Sequence, residues 1–90
     1  MKFEQVFENG FSILVYLNDD NSKYYNVVHS DIGSCYSVSS DLGVFEQHYF
    51  PTGVRDAFEY VNLVQEMLAL ANTKNLNADL LFDLGYVEVK

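Results

Sequence analysis

Thiol, imidazole and carboxylate groups are what a short chain can use for covalent or metal chemistry, and this chain has one cysteine, Cys35, and two histidines, His29 and His48. A thiol mechanism needs a base beside the sulfur and a group that orients the base, roles open here to His48 and to Asp31 or Asp41. Nothing flanking Cys35 resembles a catalytic cysteine box, and the layout places neither a helix N-terminus nor a cation beside it to lower the thiol pKa. The expectation is an inert thiol that behaves as a small hydrophobe. His29, Asp31, Cys35 and His48 are also residue types that hold Zn²⁺, but their spacing is not that of a finger or ribbon. His29 and Asp31 on one strand face supply only a two-point contact. Asp19-Asp20-Asn21 lacks the alternating ligands and closing glutamate of a calcium loop. Glycines at 10, 33, 43, 53 and 85 stand singly at turns and build no phosphate cradle. No catalytic residue, metal site or cofactor is therefore expected, and the chain is read as a non-enzyme.

The elements that would position these groups are legible from period and punctuation. Asn9-Gly10 suits a two-residue type I′ turn between Lys2 to Glu8 and Phe11 to Leu17. That loop length pairs Glu8 with Phe11, Val6 with Ile13 and Glu4 with Val15 on one face, and puts Phe3, Gln5, Phe7, Ser12, Leu14 and Tyr16 on the other. The polar cluster Asn18 to Ser22 returns the chain into a third strand, Lys23 to Ser30. Cys35 to Ser39 reads as a fourth strand, with Tyr36 and Val38 opposite Cys35, Ser37 and Ser39, and Val44 to Phe50 as a fifth.

From Val54 the period becomes helical, through Ala57, Phe58, Val61, Val64, Met67, Leu68 and Ala71, with Tyr60, Leu63 and Leu70 widening the stripe. Thr52 is the candidate N-cap, Asp56 and Glu59 lie near the positive end of the helix dipole, and Lys74 lies near its negative end. Asn77 to Leu84 reads either as a short helix capped by Asn77 and ended by Gly85, or as a strand; Tyr86 to Val89 alternates as a final strand. The expected fold over residues 1–90 is one α+β domain: an antiparallel meander of five or six short strands, one long amphipathic helix on one face, and a short C-terminal helix or strand.

Charge excludes more than the motifs do. Thirteen carboxylates against five Lys and Arg give a net charge of −8 in 90 residues. Binding to a phosphate backbone draws on clustered cations that displace counterions, so direct nucleic-acid binding is not expected, and anionic membranes are disfavoured for the same reason. No apolar run is long enough for an export signal or a membrane span, and a lone cysteine fits a reducing compartment, so the expected location is cytoplasmic.

No Lys or Arg stands between Lys23 and Arg55, whereas Asp31, Asp41, Glu46 and several tyrosines do. Such a surface suits a basic groove on another protein. The functional expectation is a small acidic inhibitor, comparable in size and charge to antitoxins, immunity proteins and phage anti-defence proteins. It would mask a basic surface of a partner protein, such as a nucleic-acid-binding protein or nuclease. Asp19, Asp20, Asp31, Asp41 and Glu46 are its expected charge partners, and Tyr24, Tyr36 and Tyr49 its anchors. The rival expectations are a homo-oligomeric structural or regulatory domain that buries Phe3, Phe7, Leu14 and Tyr16 in a homodimer, and a small metal- or thiol-dependent enzyme built on His29, Cys35 and His48.

Overall fold

A computed structural model describes the backbone of residues 1–39, 45–47 and 54–90, and the side chains of residues 1–39 and 57–90. Strands β1 (Lys2–Val6), β2 (Phe11–Leu17), β3 (Lys23–His29), β4 (Gly33–Ser39) and β5 (Phe45–Gln47) form the expected antiparallel meander. Helix α1 (Val54–Ala71) then crosses the sheet, and helix α2 (Ala78–Asp83) leads into β6 (Val87–Val89). β6 pairs antiparallel with β1, which gives the strand order β5-β4-β3-β2-β1-β6. The class is α+β, with helices on one face of the sheet only.

The open choice for residues 77–84 resolves as a helix. Asn77 is its N-cap, accepting the Leu80 N–H at 2.9 Å on Oδ1, and Gly85, at φ +94°, ends it. At the C-terminus of α1, Asn72 Nδ2 donates to the Leu68 carbonyl (2.9 Å) and Thr73 Oγ1 to that of Ala69 (2.8 Å). The Leu68 carbonyl also accepts the Asn72 N–H (3.0 Å); the Ala69 carbonyl, left by the Thr73 N–H, which turns to Leu70 (3.0 Å), is the one that a side chain satisfies. Thr52, the expected N-cap of α1, lies outside the described residues.

The first hairpin departs from expectation by one residue. Asn9 and Gly10 both adopt positive φ (61° and 83°) and the Phe11 N–H donates to the Glu8 carbonyl, as the predicted turn requires. However, the Phe7 N–H donates to the Phe11 carbonyl (2.8 Å), so Phe7 and Glu8 both oppose Phe11. This is a bulge, and it shifts every pair beyond it. The ladder runs Val6↔Ser12, Gln5↔Ile13, Glu4↔Leu14, Phe3↔Val15 and Lys2↔Tyr16. Because strand side chains alternate faces, Phe3 moves to the side of Ile13 and Val15, while Glu4 and Val6 move to the side of Leu14 and Tyr16.

The core lies between α1, α2 and one face of the sheet. Phe3, Phe11, Ile13, Val15, Tyr25, Val27 and Val38 meet Leu63, Met67 and Leu70 of α1, Leu81 of α2, and Leu76 and Tyr86. On α1 the buried stripe is centred on Leu63, Met67 and Leu70, whereas Phe58 and Val61, expected inside, are 69% and 48% exposed. The stripe is thus rotated toward the residues first taken as its margin. A second irregularity, between Val27 and Val28, leaves Cys35 unmatched between the pairs Val27↔Tyr36 and Val28↔Ser34. Among the described residues no helix is long and apolar enough to cross a membrane.

Candidate partner-binding face

Alternation along β1 to β4 gives the sheet a second face that neither helix covers. Its positions are Lys2, Glu4 and Val6 on β1, Ser12, Leu14 and Tyr16 on β2, Tyr24, Asn26 and Val28 on β3, and Ser34, Ser37 and Ser39 on β4. Only Lys2 and Glu4 among these are charged, in a chain that carries −8 overall. Tyr16 and Tyr24 are register partners whose rings meet edge to face with centroids 5.6 Å apart. Lys2 Nζ lies 5.7 Å from the centroid of the Tyr16 ring, within cation–π range. Tyr16 and Tyr24 line a depression of about 330 Å³ with Asn18, Ser22, Lys23 and Ser39.

Beside the rings the face is polar but internally satisfied. Asn26 Oδ1 accepts from Ser34 Oγ (2.9 Å) and Ser37 Oγ (3.1 Å), and the two hydroxyls are 3.1 Å apart. Asn26, Ser37 and Ser12 are buried among their neighbours although no helix lies over them. Polar groups that already have partners can be covered at little further desolvation cost.

Of the expected charge partners, Asp19, Asp20 and Asp31 sit around this face and not on it. Asp19 and Asp20 are exposed in the turn between β2 and β3, and Asp31 is exposed in the turn between β3 and β4. These turns are at opposite ends of β3, a seven-residue strand about 23 Å long at roughly 3.3 Å per residue. They do not gather into one field. Asp20 also has work within its own turn: it accepts from the Ser22 hydroxyl and from the Ser22 N–H (3.0 Å), and these bonds hold its carboxyl below the usual pKa. Tyr24 is on the open face, whereas Tyr36 belongs to the helix-covered face and lines a groove with Tyr60, Val61 and Val64. The two tyrosines lie on opposite faces of the sheet. Glu46 pairs in register with Ser37; Asp41, Tyr49 and the Glu46 side chain lie outside the described residues.

Tyr16 was not expected as an anchor beside Tyr24. The signal was present in the cross-strand Tyr16↔Tyr24 pair, which depends on the second hairpin alone. It was obscured because the slipped first hairpin had grouped Tyr16 with Phe3 and Phe7. Phe3 is fully buried in the core and Phe7 packs against it, so neither lies on an open face with Leu14 and Tyr16.

The groups weighed for chemistry are placed as structural parts. Cys35 is fully buried with its thiol 3.4 Å from the Gly33 carbonyl, and burial pushes its pKa up, away from the thiolate. His29 Nδ1 accepts the Asp31 N–H (3.1 Å), so Nε2, 2.7 Å from the Asn9 carbonyl, carries the proton and donates. The ring thus ties the first turn to the third and packs edge-on against Phe11, with centroids 4.8 Å apart. Asp31 lies in the turn and meets His29 through its backbone, not as a second ligand on a strand face. Among the described residues no three His, Cys, Asp or Glu side chains converge as a metal site; His48 lies outside them.

No protein-family model matches the chain, and no curated protein or solved structure shows significant similarity to it.

Proposed function

We propose that this chain is a small acidic inhibitor that binds another protein and covers a basic, nucleic-acid-binding surface on it, in the manner of antitoxins, immunity proteins and anti-defence proteins. The observation that carries the reading is the composition of the open sheet face. Leu14, Tyr16, Tyr24 and Val28 form a centre without charge, and exposed carboxylates stand at both ends, Asp19 and Asp20 at one and Glu8 and Asp31 at the other. An apolar, tyrosine-bearing centre with a polar rim is the usual anatomy of a protein–protein interface. The net charge of −8 favours encounter with a cationic partner and disfavours nucleic acid itself. In this reading Tyr16 and Tyr24 are the anchors, the four rim carboxylates steer, and Tyr36 takes no part.

A photo-crosslinking residue placed at position 24, and separately at position 66 on the exposed side of α1, tests this in cells of the native host. Position 24 should capture a protein with a basic surface and position 66 should not. With that protein purified, Tyr24→Ala should weaken binding by about tenfold or more, as loss of an interface anchor does. Association should also slow as ionic strength rises past about 0.15 M, where the Debye length is about 8 Å. Capture through position 66 alone, or a partner whose contact surface is acidic, would defeat the reading.

A further inference from the structure

Asn9-Gly10 is the one asparagine–glycine step in the sequence, and both residues are exposed at the tip of the first hairpin. Such a step is chemically labile. The Gly10 nitrogen can attack Cγ of the Asn9 side chain, because glycine carries no side chain to obstruct the approach. A new N–Cγ bond closes a five-membered succinimide while the Cγ–N bond of the amide breaks, and the Gly10 proton leaves with the ammonia. Water then opens the ring at either carbonyl and leaves aspartate or isoaspartate at position 9.

The folded turn holds the reacting atoms apart. Ring closure needs the Gly10 nitrogen on the same side as Cβ across the Asn9 Cα–C bond, whereas at ψ 26° in an L residue that nitrogen is nearly opposite Cβ. To bring it round, the Asn9–Gly10 peptide must rotate by well over a right angle, and that peptide is clasped. His29 Nε2 donates to the Asn9 carbonyl (2.7 Å), the Ser30 N–H donates to the Gly10 carbonyl (2.9 Å), and the Phe11 N–H donates to the Glu8 carbonyl. The imidazole is itself fixed by the Asp31 N–H on Nδ1 and by the Phe11 ring.

From this geometry we propose that Asn9 is a latent deamidation site, closed in the folded hairpin and reactive only when the His29 clasp releases the turn. The rate of amide loss is then the rate in the open turn multiplied by the fraction of time the turn is open. Asn21-Ser22 also has its asparagine at positive φ (70°), but the Ser22 N–H is held by Asp20 Oδ1 (3.0 Å) and Ser22 is buried. The two products at Asn9 differ in consequence. Aspartate tolerates positive φ and keeps the turn, adding negative charge beside Glu8 and Asp31. Isoaspartate carries the backbone through Cβ and Cγ, and the extra carbon does not fit the two-residue loop that fixes the Val6↔Ser12 register. Neither outcome depends on the partner reading.

Ageing the purified chain at constant neutral pH, with charge-resolved separation and peptide mapping of the products, tests the site. In the native chain Asn9 should lose its amide before any other asparagine, yet about tenfold or more slowly than in the chain unfolded in guanidinium chloride. His29→Phe keeps a ring against Phe11 but has no donor for the Asn9 carbonyl. It should speed the loss about threefold or more in the native state and leave the unfolded rate unchanged. A measurement on the wild type needs no variant to fold: amide exchange at Ser30, whose N–H closes the same turn, should rise in step with deamidation as guanidinium is added below the unfolding transition. Equal rates in the folded and unfolded chains overturn the inference, as does a different asparagine reacting first in the native chain, or deamidation that ignores the opening seen at Ser30. An unaltered native rate in a folded His29→Phe overturns the role given to the clasp.

Discussion

The same four strands build two faces of opposite character from alternate residues. On the side under the helices, Phe3, Phe11, Ile13, Val15 and Val27 are completely buried. On the other side the positions between them are Glu4, Ser12, Leu14, Tyr16, Asn26 and Val28. The first face is held by volume: large apolar groups fill the space beneath α1, and the sheet gains stability in proportion to the area removed from water. The second is held by pairing, with one tyrosine against another and one asparagine shared by two serines. Side chains that satisfy one another while leaving a surface level and nearly uncharged keep that surface available to another molecule. Glu8, Asp19, Asp20 and Asp31 stand at the turns, where they oppose nonspecific clumping without blocking the face.

The largest expected difference between the faces is in their response to truncation. Phe11→Ala should cost about 3–5 kcal/mol of unfolding free energy, whereas Leu14→Ala, half-buried three residues on, should cost about 1 kcal/mol. Urea denaturation followed by circular dichroism measures both, and equal losses would abolish the distinction. A smaller effect is expected at Asn26. Its replacement by alanine should cost about 1 kcal/mol by removing the acceptor shared by Ser34 and Ser37, and Ser34→Ala in that background should add little. Independent losses from the two changes would mean that the network is not a unit.

The smallest effect concerns the buried side. The Tyr86 hydroxyl is enclosed with no hydrogen-bond partner among the described residues, and burial together with the Glu66 charge raises its pKa well above 10. Tyr86→Phe should change stability at neutral pH by less than about 0.5 kcal/mol in either direction. The pH dependence has a definite sign. In the unfolded chain Tyr86 ionises near its ordinary pKa, about 10, while in the fold it stays protonated. Its contribution is therefore intact below about pH 10 and declines above it, because the folded state then binds more protons than the unfolded one. Denaturation midpoints measured from pH 9 to pH 11 should fall more steeply in the wild type than in Tyr86→Phe.

How much of this was readable beforehand depended on whether a signal was local. The meander, the long helix and the Asn77 cap each follow from a few adjacent residues, and all are present. The faces of β1 were misassigned because Asn9-Gly10 specifies a turn but not whether the strand entering it carries an extra residue. The stripe of α1 was displaced because Tyr60, Leu63 and Leu70 form an apolar arc as good as Phe58 and Val61, and only the sheet beneath decides between them. Tyr36 and Tyr24 look equivalent as strand tyrosines, yet register sends one beneath the helix and the other to the open face. The separation of Asp19 and Asp20 from Asp31 was legible, because the third strand read from the sequence already lies between them.

The doubled position at Phe7 and Glu8 makes the first hairpin tolerant of a change that would ruin most strands. Were Glu8 lost, Phe7-Asn9-Gly10-Phe11 would close as a plain two-residue loop, and Val6 would still meet Ser12. Every side chain on β1 would keep its orientation. The same deletion made at Gln5 would turn Lys2, Phe3 and Glu4 over and drive two charges into the interior. For the fold, Glu8 is thus a spare link in the chain: its loss would shorten the hairpin while the rest of the strand stays fixed, and only its charge at the rim would be missed.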